Sequence, residues 1–82
     1  MKRIDFSDSA GKFLFKCDIE LSKNIVSKVE LLNAAPCPLQ IRKLKGISNS
    51  YRIRIGDYRV IFEIYKESFL ITKIAHRKDI YK

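Results

Sequence analysis

Three closely spaced arginines are the residues of this chain best suited to chemistry. They lie in residues 51–55 and 58–64, two stretches that alternate polar and apolar side chains around a Gly-Asp pair. Because successive side chains of a strand point to opposite faces, the pattern predicts a β-hairpin with Arg52, Arg54 and Arg59 on one surface. Guanidinium groups stay charged at any cellular pH, and their paired donors match phosphate oxygens. The sequence therefore predicts a phosphate-binding surface on a small sheet.

The net charge of +8 over 82 residues is concentrated in the second half of the chain. Residues 1–40 hold six Lys or Arg and five Asp or Glu, whereas residues 41–82 hold eleven and four. Such a basic half-domain suits nucleic acid or an acidic protein partner. The alternative is charge that serves solubility alone. The alternation argues against it, because solubility does not require the arginines to share a face.

Composition excludes several other classes of protein. No apolar run approaches the roughly 20 residues of a membrane-spanning helix, so we expect a cytoplasmic protein that does not contact membranes. Cys17 and Cys37 lie far apart, and neither has a histidine at metal-ligand spacing. Reduced thiols and no structural zinc site are the expectation.

The elements that must position the arginines can be read along a single domain of residues 1–82. Residues 2–6 suit a short strand, and Ser7 or Asp8 can cap a helix that carries Phe13 and Leu14 and ends near Cys17. Asp18 can cap a second helix. Its apolar side chains recur at helical spacing at Ile25, Val29 and Leu32.

The rest of the chain reads as strands. The Pro36-containing connection ends the second helix, and residues 39–45 form a short strand or a basic connector. The arginine hairpin follows, and residues 69–75 form a final strand. The order β-α-α-β-β-β predicts an α+β fold, with the helical hairpin packed on one face of a small antiparallel sheet. The arginines would occupy the other face.

Three segments together resemble the RelE family of toxins from type II toxin–antitoxin modules, within the RelE/ParE superfamily. They are Lys43-Leu44-Lys45-Gly46, the hairpin of residues 51–64, and His76-Arg77-Lys78-Asp79-Ile80-Tyr81. The likeness is sharp over residues 43–81 and rests on the helical hairpin and length over residues 1–40. It implies a RelE-like fold similar to that of microbial ribonucleases. It also implies a toxin that enters the ribosomal A site, cleaves messenger RNA there and so inhibits translation.

The resemblance implies an endoribonuclease without a metal or other cofactor. In this chemistry the 2′-hydroxyl attacks the adjacent phosphate and leaves a 2′,3′-cyclic phosphate. It needs a base, positive charge on the developing oxyanion and an acid for the 5′-oxygen. The family's motif positions are Arg52, Arg54, Arg59, Arg77 and Tyr81.

The chemistry of these side chains suggests separate roles. Arg59 and Arg77 suit a clamp on the scissile phosphate, and Tyr81 suits base stacking or proton transfer. Several relatives have a lysine at the positions of Arg52 and Arg54, and a buried lysine can lose its proton and act as a general base. Arginine cannot do so, and Arg52 and Arg54 therefore suit contacts to the RNA backbone.

Other side chains keep two interpretations open. His76 is either a general acid or base or a strand-end residue that packs against the hairpin. Lys43, Lys45 and Lys78 either contact messenger RNA and 16S ribosomal RNA or are ordinary solvated charges. Glu63 is expected to pair with an arginine on its own face. Tyr51 and Tyr58 are expected in the core or at the sheet edge.

The resemblance also implies a cognate RelB-like antitoxin with an acidic or amphipathic segment that wraps around the domain. Two rival functions remain at this stage. One is a ParE-like toxin that poisons DNA gyrase by binding, without ribonuclease residues. The other is a catalytically degenerate toxin-like protein that binds only RNA or antitoxin.

Overall fold

The computed structural model describes residues 1–46 and 49–80. One strand precedes two helices, and four strands follow them. The elements are β1 (Arg3–Phe6), α1 (Asp8–Lys16), α2 (Ile19–Glu30), a 3₁₀ turn (Leu31–Asn33), β2 (Arg42–Lys43), β3 (Ser50–Ile55), β4 (Tyr58–Ile64) and β5 (Ser68–His76). The predicted order β-α-α-β-β-β is confirmed except for one additional strand after the helices, because residues 42–43 form a short strand.

The two helices begin at the predicted caps. The Ser7 hydroxyl accepts a hydrogen bond from the amide of Ala10, and the Asp18 carboxylate accepts from the amides of Glu20 and Leu21. These side chains satisfy amide groups that lack intrahelical partners at a helix start. The predicted apolar face of the second helix is buried through Ile25, Val29 and Leu32.

The five strands form one sheet in the order β1-β5-β4-β3-β2. The pairs β2–β3, β3–β4 and β4–β5 are antiparallel, as expected from the two hairpins that link β3, β4 and β5. The wholly antiparallel sheet expected from the sequence needs one correction, because β1 pairs in parallel with β5. The helical hairpin is the cause, because it carries the chain from β1 at one edge of the sheet to β2 at the opposite edge. The three antiparallel pairings from β2 to β5 then bring β5 beside β1 in the same direction.

A β-bulge in β5 adjusts which side chains reach the core. Ile61 lies opposite Lys73, whereas the next residue, Phe62, lies opposite Ile71, so Thr72 is the extra residue. Ile71 and Ile74 are both buried, although a regular strand would point them to opposite faces. The bulge therefore places Lys73 on the face away from the helices.

The core lies between the helices and one face of the sheet. It includes Ala10, Ile25 and Val29 from the helices and Ile53, Val60, Phe62 and Ile71 from the strands. Tyr51 stacks on Phe62 and Tyr58 packs edge-on against Phe13, as expected for tyrosines of the core or sheet edge. In the part of the chain that the structure describes, no helix is long and apolar enough to cross a membrane.

Candidate nucleic-acid interface

The sheet face opposite the helices, here called the open face, carries basic side chains from β2, β3, β4 and β5. Its residues are those that alternate along each strand with the buried core residues, and the strand register aligns them across the sheet. These residues are Arg42, Ser50, Arg52, Arg54, Arg59, Ile61, Glu63, Ser68, Leu70, Lys73 and Ala75, with Arg3 and Asp5 on β1. The structure thus brings the three predicted hairpin arginines to one surface, together with Arg42 and Lys73.

Two pairs of arginines lie directly opposite each other across the open face. Arg54 pairs with Arg59 between β3 and β4, and Arg42 pairs with Arg52 between β2 and β3. Directly opposed side chains have Cβ atoms about 5 Å apart, and like charges at that spacing are destabilising. Arg42, Arg52 and Arg54 also line one narrow crevice with Gln40. An anion at this surface would replace the repulsion with attraction.

Both predicted phosphate-clamp residues bond to the β3–β4 turn. The Nη1 atom of Arg59 donates to the carbonyl oxygens of Gly56 and Tyr58, at 3.1 and 3.0 Å. The amide of Arg77 donates to the carbonyl oxygen of Asp57 at 2.7 Å, and the Nε atom of Arg77 lies 3.8 Å from its carboxylate. Arg59 thus has one guanidinium nitrogen engaged with the turn. Arg77 is held mainly through its backbone and keeps an exposed side chain.

The segment after β5 folds back over the open face. The Lys73 ammonium donates a hydrogen bond of 2.9 Å to the carbonyl oxygen of Ile80. Ile80 is buried, yet it is separate from the core cluster between the helices and the sheet. Within the described residues, a charged hydrogen bond and a buried apolar side chain thus dock the segment on the open face. Tyr81, the predicted C-terminal site residue, lies outside the described residues.

His76 lies on the other side of the sheet from the arginines. It follows Ile74 on the helix-covered face, and its ring packs edge-on against that of Tyr58 at a centroid distance of 5.4 Å. Its Nδ1 atom accepts a hydrogen bond of 3.2 Å from the amide of Lys78. The geometry is that of a strand-end residue packed against the hairpin, the second of the two interpretations left open by the sequence.

The predicted RNA-contacting lysines lie at the rim. Lys43 is exposed on the edge strand β2, Lys45 is exposed in the turn before Gly46, and Lys78 is exposed in the segment after β5. None of these three lies among the open-face arginines by strand register, so they extend the positive surface outward.

Two features of the open face were not predicted correctly from the sequence. Lys73 is the single charge inside the otherwise apolar and hydroxyl-bearing stretch of residues 69–75, which was the available signal of a solvent-facing position. Glu63 was expected to pair with an arginine, and that expectation is wrong: among residues 1–46 and 49–80, its side chain bonds instead to the Tyr65 hydroxyl. This hydrogen bond is the main reason that the pKa of Tyr65 is raised above its ordinary value, with smaller contributions from burial and the Glu63 charge.

Comparison with known proteins agrees with this architecture. A family model described as the ParE toxin of the type II toxin–antitoxin system parDE matches residues 4–81. Toxin RelE3 of Methanocaldococcus jannaschii is 44% identical over 43 residues, which are 52% of this chain and 49% of that protein. The chain thus matches about half the length of that relative. Putative toxin RelE1 of the same organism is 34% identical over 65 residues, 73% of this chain and 72% of that protein.

Solved structures share the fold over nearly the whole chain. The toxin–antitoxin complex RelB–RelE from Methanococcus jannaschii matches with a TM-score of 0.73 and 30% identity, covering 94% of each chain. The archaeal RelE–RelB complex from Pyrococcus horikoshii gives 0.76 and 25%, covering 95% of this chain and 97% of that one. The RelBE2 complex from Mycobacterium tuberculosis, at 0.78 and 20% identity, shows the fold alone. The chain belongs to the RelE/ParE superfamily of toxins from type II toxin–antitoxin systems.

Proposed function

We propose that this toxin is a ribosome-dependent endoribonuclease that cleaves messenger RNA in the ribosomal A site. The observation that carries the proposal is the direct opposition of Arg54 and Arg59, continued by Arg42 and Arg52. A folded domain retains such repulsive pairs when they serve a purpose other than stability. A polyanion with phosphates at regular intervals is a ligand that would neutralise the opposed charges of Arg54 and Arg59.

The roles of the arginines follow from their surroundings. Arg77 and Arg59 are both held by the β3–β4 turn. In this proposal they clamp the scissile phosphate and stabilise the charge that develops during attack by the 2′-hydroxyl. Arg52, Arg54 and Arg42 lie further along the open face and hold the RNA backbone. No metal is required by this scheme, since fixed guanidinium charge supplies the electrostatic stabilisation.

Proton transfer is assigned outside the hairpin. Arginine does not deprotonate in proteins, so Arg52 and Arg54 stabilise charge rather than act as the base. His76 is placed on the helix-covered face, away from the arginine rows. The segment that Lys73 docks on the open face leads directly into Tyr81. We assign Tyr81 the orientation of the nucleophile or a partner role in proton transfer.

The test is primer extension on a reporter messenger RNA after brief induction of the wild type and of Arg77→Ala. The same comparison is repeated in a purified translation system with and without ribosomes. Cuts inside translated codons that need ribosomes and disappear in the variant would support the proposal.

The rival functions predict different results in the same experiment. The family model that matches the chain is described for ParE, which keeps a gyrase-poisoning toxin as the second candidate. Growth arrest with intact messages, accompanied by DNA cleavage in a gyrase assay, would favour that candidate. A domain that neither cuts RNA nor arrests growth would be a degenerate copy, and both outcomes would reject the ribonuclease.

We also propose a RelB-like antitoxin as the protein partner, and an apolar patch on the helices supports it. Phe15 and Ile19 are 90% and 67% exposed at the junction of α1 and α2. Beside them lies a groove of about 420 Å³ lined by Lys12, Phe13, Lys16 and Cys17, with Ser9 and Ile74. An amphipathic segment with acidic residues would cover the aromatic side chain and pair with the lysines.

A further inference from the structure

The end of the open face away from the β3–β4 turn carries an oriented pair of side chains that the arginine scheme does not use. The Tyr65 hydroxyl donates a hydrogen bond of 2.5 Å to the Oε1 atom of Glu63. Tyr65 directly follows β4, and this hydrogen bond places its hydroxyl beside Glu63 at the end of the open face. Tyr65 is 46% exposed, which leaves its ring accessible to a ligand.

Glu63 is an acidic residue on a surface that is otherwise mainly basic. Asp5, the other acidic residue in this cross-strand row, forms an ion pair with Arg3 at 3.1 Å. Glu63 differs, because within residues 1–46 and 49–80 its side chain is held only by Tyr65. The Oε2 atom therefore remains able to accept hydrogen bonds, as does the second lone pair of Oε1.

The neighbours of Glu63 suit a flat, partly apolar ligand. Leu70 lies directly opposite it on β5 and the buried Ser50 lies opposite it on β3. Ile61 precedes it by two residues on β4, and both Leu70 and Ile61 are half-buried on the open face. Apolar surroundings strengthen a hydrogen bond to a carboxylate, because they lower the local dielectric constant. A ring can stack on Tyr65 while its edge reaches the carboxylate.

We propose that Glu63 and Tyr65 form a base-recognition subsite that selects guanine in the bound RNA, a proposal that rests on the ribonuclease function above. Guanine presents its N1–H and N2 amine side by side on the Watson–Crick edge, and a carboxylate accepts from both. Uracil and adenine each place an acceptor beside their donor, which would face the same carboxylate unfavourably. Tyr65 supplies the stacking surface and, through its hydroxyl, fixes the orientation of Glu63.

The position of this subsite fits a nucleotide beside the cleaved bond rather than at it. Glu63 lies four positions after Arg59 on β4, a distance of about 13 Å along a strand. Arg52 and Arg54 lie on β3 alongside this path, so the RNA backbone can run over the arginines while one base turns towards Glu63.

Direct binding tests the subsite without any need for cleavage. Short single-stranded RNAs that carry guanine, inosine, 7-deazaguanine or uracil at one position are titrated against the purified toxin by fluorescence anisotropy. Inosine lacks only the N2 amine and should bind roughly tenfold more weakly than guanine, because one of the two hydrogen bonds of the bidentate contact is lost. The 7-deaza base alters only the opposite edge and should bind as guanine does.

Two variants separate recognition from net charge. Glu63→Gln places an amide donor against the guanine donors, so the ratio between guanine and uracil RNAs should fall towards one. Glu30→Gln removes the same charge from the exposed surface of α2 and should keep the wild-type ratio. Tyr65→Phe keeps the ring but loses the hydrogen bond, and it should lower the ratio less than Tyr65→Ala.

Messages with each base at successive positions around the cut provide the second readout. The wild type should favour guanine at one fixed position, and Glu63→Gln should lose that preference. Equal binding of guanine and uracil RNAs by the wild type would overturn the subsite even if messages are cleaved. Selective guanine binding without cleavage would instead reject the ribonuclease while leaving the subsite in place.

Discussion

The Lys73 ammonium reaches across from β5 to the carbonyl oxygen of Ile80, at 2.9 Å, and ties the C-terminal segment to the open face. We expect Lys73→Met to keep the aliphatic packing but to release this segment, because a charged hydrogen bond of this kind contributes about 1.5–3 kcal/mol. The amides of Asp79 and Ile80, which bond to the carbonyl oxygen of His76, should then exchange with solvent at least about tenfold faster.

The matched control for Lys73 is Lys23→Met, which removes a lysine from the exposed surface of α2. Exchange in residues 77–80 should be unchanged by it. Messenger RNA cleavage should fall in Lys73→Met alone, since the released segment leads into Tyr81. Unchanged exchange in Lys73→Met would show that the hydrogen bond does not dock the segment.

Arg77 is the arginine whose loss can be interpreted most simply. Its side chain makes one long, exposed contact with Asp57, at 3.8 Å, and such surface pairs contribute little to stability. We expect Arg77→Ala to change the free energy of unfolding by less than about 0.5 kcal/mol. Cleavage should fall at least about 100-fold, as when one preorganised donor to a developing oxyanion is removed.

Two companion variants of Arg77→Ala distinguish charge from geometry. Arg77→Lys keeps the charge but not the paired donors, so it should restore only part of the cleavage rate measured in the translation system. Asp57→Asn removes the same ion pair without touching an arginine and should not lower the rate. A loss of cleavage in Asp57→Asn equal to that in Arg77→Ala would assign the effect to the turn.

Side-chain alternation and helix caps made much of this architecture predictable. Ser7 and Asp18 act as the caps that their positions suggested, and the hairpin arginines share one face because alternation is local. The parallel pairing of β1 with β5 depends on contacts between residues more than 60 positions apart, which no local pattern encodes. The bulge at Thr72 has one trace in the sequence, because the apolar residues Ile71 and Ile74 are three positions apart rather than two or four. Both are buried in the structure.

The candidate site was predictable in part for the same reason. Charge and alternation indicated the arginine surface, whereas the partner of each side chain depends on rotamers. Glu63 therefore bonds to Tyr65 although arginines were available on the same face. His76 follows the alternation of Ile74 and so lies with Tyr58, a placement that only the bulge-corrected register defines.

Arg54→Ala should move stability and RNA binding in opposite directions. Removal of one of two directly opposed guanidinium groups should raise the free energy of unfolding by a few tenths of a kcal/mol, up to about 1. Binding of single-stranded RNA should weaken, and the slope of log K against log salt should become shallower by about 0.7 per lost phosphate contact.

Unfolding in urea and RNA titrations between low and moderate salt measure the two effects of Arg54→Ala. Lys28→Ala, an exposed change on α2, should leave the salt slope as it is in the wild type. An unchanged slope in Arg54→Ala would mean that this arginine does not contact the backbone.

Ser7 links the first helix to the bulged strand and should matter for stability. Its hydroxyl donates to the carbonyl oxygen of Thr72 at 2.8 Å and accepts from the amide of Ala10 at 3.1 Å. Ser7→Ala should therefore cost about 1–2 kcal/mol. For a domain of this size that corresponds to a decrease in Tm of roughly 4–16 °C. Ser9→Ala, on the exposed surface of the same helix, should leave the Tm nearly unchanged or raise it slightly.

The exposed ring of Phe15 tests the proposed antitoxin surface. Phe15 is 90% exposed, so Phe15→Ser removes almost no buried area, and the free energy of unfolding of the isolated toxin should change by less than about 0.5 kcal/mol. Its affinity for the cognate antitoxin, measured by calorimetric titration, should fall at least about tenfold, as expected for an aromatic anchor. Ile41→Ser alters an exposed apolar residue beside β2 and should keep the wild-type affinity. Equal affinities for all three proteins would place the antitoxin elsewhere and leave the exposure of Phe15 without that purpose.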